Sequence, residues 1–242
     1  MCRQPSAGMS AIAAHLSTHG FQTTKSGKPS CAMPVDRFAA FSSSGPFAAE
    51  PRAHFYVTLP ASPAEALPWA TLAALTAHEA IPGHHLQALH LRRAPTRVQR
   101  TVTSLTFLEG WGHYAETLMA DHGYGGAQVD AVRAAVHRRS LLCACRARAA
   151  VALHTEGRSV AEVERLFAER CRQPAAVARE QARRGTVHPW YFAYAVGRAQ
   201  LETLRDEARA QAGAAFDLRS FHDAVLGHGA PPVPLLRSRV LA

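Results

Sequence analysis

From Pro68 onward, apolar side chains recur every three or four residues, between punctuating prolines, glycines, serines and aspartates. That period lines one face of a helix and does not suit strands, so it commits most of the chain to packed helices. A first helix is expected from Ser62–Pro63 or from Pro68, through Leu72, Leu75, His78 and Glu79, towards Pro82–Gly83. A second follows Pro95, with Val98, Val102, Leu105, Leu108, Trp111, Ala115 and Leu118 on its apolar face and Gly123 at its end. A third covers roughly 127–155 and stops at Gly157. A fourth opens on Ser159, with Glu162 three residues on as a capping box, and carries Val160, Val163, Leu166 and Phe167 inward. A short helix follows Pro174, a long one runs from Pro189 to about Gln211 before Gly213, and the last runs from Asp217 to near Gly227.

The N-terminal part reads differently. Pro5, Pro29, Pro34, Pro46, Pro51 and the run Ser42–Ser43–Ser44–Gly45 mark residues 1–60 as irregular, and the division falls into an irregular segment 1–45 and a folded unit 46–242. One short strand, His54 to Leu59, is expected ahead of Pro60. The fold class is mainly α, with this one strand or hairpin region before the first helix.

A chain of 242 residues that is 48% hydrophobic and 19% charged can bury a core and is not disordered throughout. Its net charge of +9 comes largely from arginines among alanines, as in Arg146–Ala147–Arg148 and Arg183–Arg184, a pattern of solvated helix faces. No basic stripe interleaved with aromatics appears, so no nucleic-acid partner is expected. No apolar run of about 18 residues is present, so no membrane span is expected either. The first twenty residues lack a continuous apolar stretch, which predicts a cytoplasmic protein. Five cysteines, Cys2, Cys31, Cys143, Cys145 and Cys171, are odd in number and irregular in spacing. They predict reduced thiols and no disulfide framework.

The chemistry is expected among the 14 histidines. The segment His78–Glu79–Ala80–Ile81–Pro82–Gly83–His84–His85 resembles a zinc-binding HExxH helix with one disruption. In that motif the residue four after the first histidine is the second ligand. Here it is Pro82, which cannot ligate and cannot donate a hydrogen bond to the carbonyl of His78. The helix must bulge or break. A distortion worth about two residues puts His84 in the second ligand's place, with His85 as the fallback two turns along the same face. Further on, Glu109–Gly110–Trp111–Gly112–His113–Tyr114–Ala115–Glu116 places Glu109 within the apolar face of Leu105, Leu108 and Trp111. A carboxylate there needs a partner, and a metal is a suitable one. Glu116, seven residues on, is placed to hold a ligand histidine from behind.

These two motifs, HEAIPGHHLQ and EGWxxYAE, resemble those of the DUF885 family, uncharacterised bacterial proteins related to gluzincin metallopeptidases. Tyr194–Ala195–Val196–Gly197 with Leu204–Arg205 is similar to that family's Y-x-x-G…LR helix. The block from Phe216 to Leu226, followed by Pro231–Pro232–Val233–Pro234–Leu235, is similar to its C-terminal block, and Phe55–Tyr56–Val57 to the strand before the metal helix. The resemblance covers about 50–242. Family members are usually more than twice this length, with a helical N-terminal half that residues 1–45 do not resemble. It implies a zincin-like helical fold and one Zn2+ per chain held by His78, His84 and Glu109. It also implies Glu79 as general base, Tyr194 as the donor to a developing oxyanion, and a peptide substrate. Tyr191 and His222 are the alternatives to Tyr194. Arg198 and Arg205 are candidates for a substrate carboxylate. A truncated, inactive zinc-binding relative acting as an interaction module is the competing expectation.

Overall fold

The computed structural model describes residues 39–57 and 67–241. The alternative helix start at Ser62–Pro63 and the end of the expected strand lie outside them. Two short strands, β1 (Ala39–Ser43) and β2 (Ala53–Val57), pair antiparallel with Phe41 opposite Phe55. Thus β1 occupies part of the segment expected to be irregular, and the serine run begins inside a strand. Arg92 fastens the hairpin loop, donating to the carbonyls of Gly45 at 3.0 Å and Ala48 at 2.5 Å. Phe41 and Phe55 pack with Trp69 and Leu72 around the buried Ala80.

The rest is helical: α1 (Trp69–Glu79), α2 (His84–Arg93), α3 (Arg97–Thr101), α4 (Leu105–Asp121), α5 (Val129–His154) and α6 (Val160–Arg165). A π turn (Leu166–Arg170) extends α6, and α7 (Ala175–Val187), α8 (Ala193–Ala212), α9 (Leu218–Gly227) and α10 (Val233–Val240) complete the chain. The signals for starts act as their chemistry requires. Ser159 and Glu162 form the capping box, and Asp217 accepts from the Ser220 backbone at 2.7 Å. The helix expected after Pro95 is two helices. It ends at Thr101 and restarts at the Ser104 cap, so Val98 and Val102 stand 67% and 63% exposed. Helices α2 and α10 were not anticipated from the periodicity.

Helices α4 and α8 cross at Gly110 and Gly197, where a Cβ on Gly110 would lie 2.5 Å from Gly197 Cα. Their shared core joins Phe107, Trp111 and Tyr114 to Leu201, Leu204, Phe221, Val225 and Leu236. A second core lies between α5, α6, α7 and the π turn, around Ala149, Val163, Phe167 and Ala182. Small residues join α1 to α4 and α5: Ala73 and Ala74 meet Ala120, Val132 and Val136. The second core contains a Cys145–Cys171 disulfide, with Cys143 a buried free thiol beside it. The expectation of reduced thiols is therefore corrected. Linear spacing carries no sign of the pair, because packing of α5 against the π turn creates it.

Candidate metal centre

Helix α1 ends at Glu79 and α2 begins at His84. The intervening break is the one Pro82 demands: Ile81–Pro82 is cis, the His85 amide bonds to Ala80 O at 3.1 Å, and Trp111 Nε1 donates to Pro82 O at 2.8 Å. Gly83 passes so close to the carbonyl of His78 that a side chain there would overlap it. The break turns the second histidine back onto the first. The rings of His78 and His84 stand edge to face with centroids 4.7 Å apart.

Glu109 closes the triangle. Its Oε2 lies 3.5 Å from His78 Nε2 and 3.7 Å from His84 Nε2. One ligand atom from each of the three lies within 4.8 Å of the other two, the one such grouping among the described residues. Zinc–ligand bonds of about 2.1 Å at tetrahedral angles put ligand atoms about 3.4 Å apart, so the donor set fits such an ion. His85 is not in the group; its ring packs near Phe41.

The other ring nitrogen of each histidine is engaged. His78 Nδ1 lies 2.7 Å from Glu116 Oε1, and His84 Nδ1 lies 3.2 Å from Gln87 Oε1. Carboxylate and amide oxygens accept, so the Nδ1 atoms carry the hydrogens and the Nε2 lone pairs face Glu109 when the rings are neutral. Glu116 is fully buried and paired with Arg139, whose Nε and Nη2 donate at 2.7 and 2.8 Å. His113 Nδ1 lies 3.6 Å from the same carboxylate. The role expected for Glu116 matches this geometry. Gln87 and Arg139 were missed: the first closes the HEAIPGHHLQ segment without a ligand's chemistry to mark it, and the second has no linear motif.

The charges of these residues act strongly on one another. Burial depresses the His78 pKa, but Glu109 and Glu116 outweigh it and hold the ring up at about 10. Burial raises the Glu109 carboxyl, but the two imidazoles beside it win and hold it far below the usual range. Glu116 is likewise held low against burial, chiefly by Arg139.

The three residues line a cleft of about 670 Å³, together with Glu79, Tyr191 and Tyr194. The α4–α8 crossing explains why: Glu109 precedes Gly110, and Tyr194 lies one turn before Gly197. The Tyr194 ring stacks 6.4 Å from that of His78. Burial first, then Glu109, raises its hydroxyl pKa, so it stays protonated. Tyr191 lines the cleft too, but its hydroxyl donates to Gln181. His222 is elsewhere, 2.9 Å from the Tyr114 hydroxyl. Arg198 and Arg205 do not line the cleft; they pair with Glu202 and Asp206. The cations that do line it are Arg138, Arg139, Arg146 and Arg184, from α5 and α7.

A family model described as "Bacterial protein of unknown function (DUF885)" matches residues 3–240. The chain belongs to the DUF885 family. The match reaches well ahead of residue 46, so the family region includes the segment expected to stand apart from it. Among solved structures, this DUF885 chain resembles a "putative lipoprotein of unknown function" from Shewanella oneidensis, with TM-score 0.76 and 23% identity over 97% of the chain. It also resembles a "putative lipoprotein" from Colwellia psychrerythraea, with TM-score 0.78 and 26% identity over 96% of the chain. It spans 44% and 40% of those two structures. No curated protein matches it. No helix among the described residues is long and apolar enough to cross a membrane.

Proposed function

We propose that this DUF885 member is a zinc-dependent hydrolase of peptide bonds, with His78, His84 and Glu109 as the zinc ligands. The observation that supports it most is the convergence of two Nε2 atoms and one carboxylate oxygen at one end of a cleft, each imidazole oriented from behind. Such outer partners are a regular feature of metal sites. Zinc with three protein ligands supplies a coordinated water of lowered pKa. Glu79, next to the first ligand and in the same cleft, takes the proton of the attacking water and passes it to the leaving amine. Tyr194 stays protonated and serves as a hydrogen-bond donor to the oxyanion of the substrate. A peptide substrate and a gluzincin relationship rest on the family motifs.

The second, competing reading is a relative that holds zinc without turnover. The disulfide favours an oxidising compartment over the cytoplasm expected from the N-terminal residues.

The test is the metal content of the purified chain by mass spectrometry, beside His84→Ala and Glu109→Ala. About one zinc per chain, lost in both variants, is the expected result. A folded wild-type chain that takes up no metal from added zinc overturns the reading. Zinc bound without hydrolysis of a peptide library selects the second reading.

A further inference from the structure

Arg146 lies in the arginine–alanine pattern that reads as a solvated face, but its side chain turns into the cleft. It is partly buried. Its Nε donates to Gln181 Oε1 at 2.8 Å, and its Cζ lies 5.3 Å from the ring centroids of both Tyr191 and Tyr194. Gln181 is itself buried and also accepts from the Tyr191 hydroxyl. The guanidinium is therefore fixed in place by one hydrogen bond and two aromatic rings.

It has no carboxylate partner among the described residues. The other cleft cations differ: Arg139 is held by Glu116, Arg184 lies 3.8 Å from Glu180, and Arg138 is exposed at the rim. A partly buried, immobilised guanidinium with unused terminal nitrogens is matched to a carboxylate, which it can grip through two parallel hydrogen bonds.

We propose that Arg146 is the substrate-carboxylate anchor of this cleft, and that its substrates are peptides bearing a carboxylate just beyond the scissile bond. The proposal deepens the hydrolase reading and rests on it for the word substrate; the anion site itself does not. Tyr194 sets the reach between the two, since its ring lies 5.3 Å from Arg146 Cζ and 6.4 Å from the His78 ring. An extended chain covers about 3.5 Å per residue, so the carboxylate lies no more than about three residues from the bond. Both a C-terminal carboxylate and an acidic side chain carry the required chemistry.

The experiment uses three probes: acetylated tetra-alanine with a free C-terminal carboxylate, its C-terminal amide, and the same amide with glutamate as last residue. Binding is read by calorimetry on the full chain carrying Glu79→Gln, so that no probe is consumed, with and without Arg146→Gln or Arg146→Lys. The free acid is expected to bind roughly ten- to hundredfold tighter than the amide. Arg146→Gln is expected to abolish that preference and Arg146→Lys to restore part of it, with the helical circular dichroism of the chain unchanged. Tight binding of the glutamate amide assigns the site to acidic side chains, and tight binding of the free acid alone assigns it to C-termini. Equal affinity for all three probes in the chain with Arg146 intact overturns the proposal, and needs no folded Arg146 variant. A preference that survives Arg146→Gln, or disappears when chelator strips the metal, places the carboxylate elsewhere and also overturns it. A chain that keeps the Arg146-dependent preference but hydrolyses nothing retains the anchor and loses the hydrolase reading.

Discussion

Arg139 grips both oxygens of Glu116, Nε to Oε2 at 2.7 Å and Nη2 to Oε1 at 2.8 Å, and Glu116 Oε1 then lies 2.7 Å from His78 Nδ1. The pair ties α5 to α4 and, through His78, to α1. A buried carboxylate is costly unless it is paired and hydrogen-bonded, and here both needs are met. Glu116→Gln keeps the shape but replaces the carboxylate that fixes the Nδ1 hydrogen with a weaker, neutral acceptor, so the ring is held less firmly with Nε2 towards Glu109. Zinc affinity is expected to fall about ten- to hundredfold, read by competition with a chromogenic chelator. An unchanged affinity would show that Glu116 serves α4–α5 packing alone.

Gly112 is a sharper probe of the centre. A Cβ there would lie 2.7 Å from His78 Cε1 and 2.8 Å from its Nε2, the atom facing Glu109. In a helix interior, alanine is favoured over glycine by about 1 kcal/mol, so Gly112→Ala helps α4 locally while displacing the His78 ring. The expected outcome is a helical chain with little or no zinc. Gly227→Ala, where the added methyl group meets nothing within 4 Å, is the control and keeps the metal.

Glu79 separates binding from chemistry. It lines the cleft but is outside the triangle of ligand atoms. Glu79→Gln is expected to retain zinc and to lose roughly 10²–10⁴-fold in peptide hydrolysis, the usual worth of a general base. Loss of zinc in this variant would make it a ligand and refute its assigned role.

Several of these features are legible in the chain itself. Proline lacks the N–H that would reach the carbonyl of His78, so a break after Glu79 is dictated by covalent structure, while which of His84 and His85 is brought beside Glu109 depends on the size of that break. The caps at Ser159 and Asp217 announce their helices because side-chain oxygens there meet free backbone amides. Other features depend on three-dimensional packing. Arg139 and Arg146 sit in a stretch with no motif, and only the packing of α5 against α1, α4 and α7 turns them inward. β1 escapes notice because its serines read as loop. Val98 and Val102 fit the helical period but belong to a separate short helix, so period alone misplaces them.

The disulfide tests the redox inference. Cys145 is on α5 and Cys171 follows the π turn, 26 residues away. Closing a loop of that size is worth about 3 kcal/mol through the unfolded state. Peptide mapping without reductant is expected to recover the two cysteines in one linked fragment. Reductant is expected to lower the urea midpoint accordingly. Recovery of both as free thiols from an oxidising preparation would refute the pairing.

His222 predicts a pH dependence of stability away from the candidate centre. Its Nε2 lies 2.9 Å from the Tyr114 hydroxyl, from which a neutral ring can accept; it packs edge to face with Trp111 at 5.5 Å and is held down to about 4 by burial first and the charge of Arg205 second. A histidine whose pKa is lower folded than unfolded stays neutral in the fold while the unfolded chain takes up a proton. The stability it contributes is therefore complete above the unfolded value of 6.5 and is lost as pH falls from there to about 4. At about 1.4 kcal/mol per pH unit, the loss amounts to some 2–3 kcal/mol. His222→Gln can still accept from Tyr114 and does not titrate. Its urea midpoint is expected to fall less steeply than that of the wild type between pH 6.5 and 4, and the two curves to run parallel above pH 7. Parallel curves across the whole range would mean that His222 titrates alike in the folded and unfolded chain, and would refute the effect of burial on it.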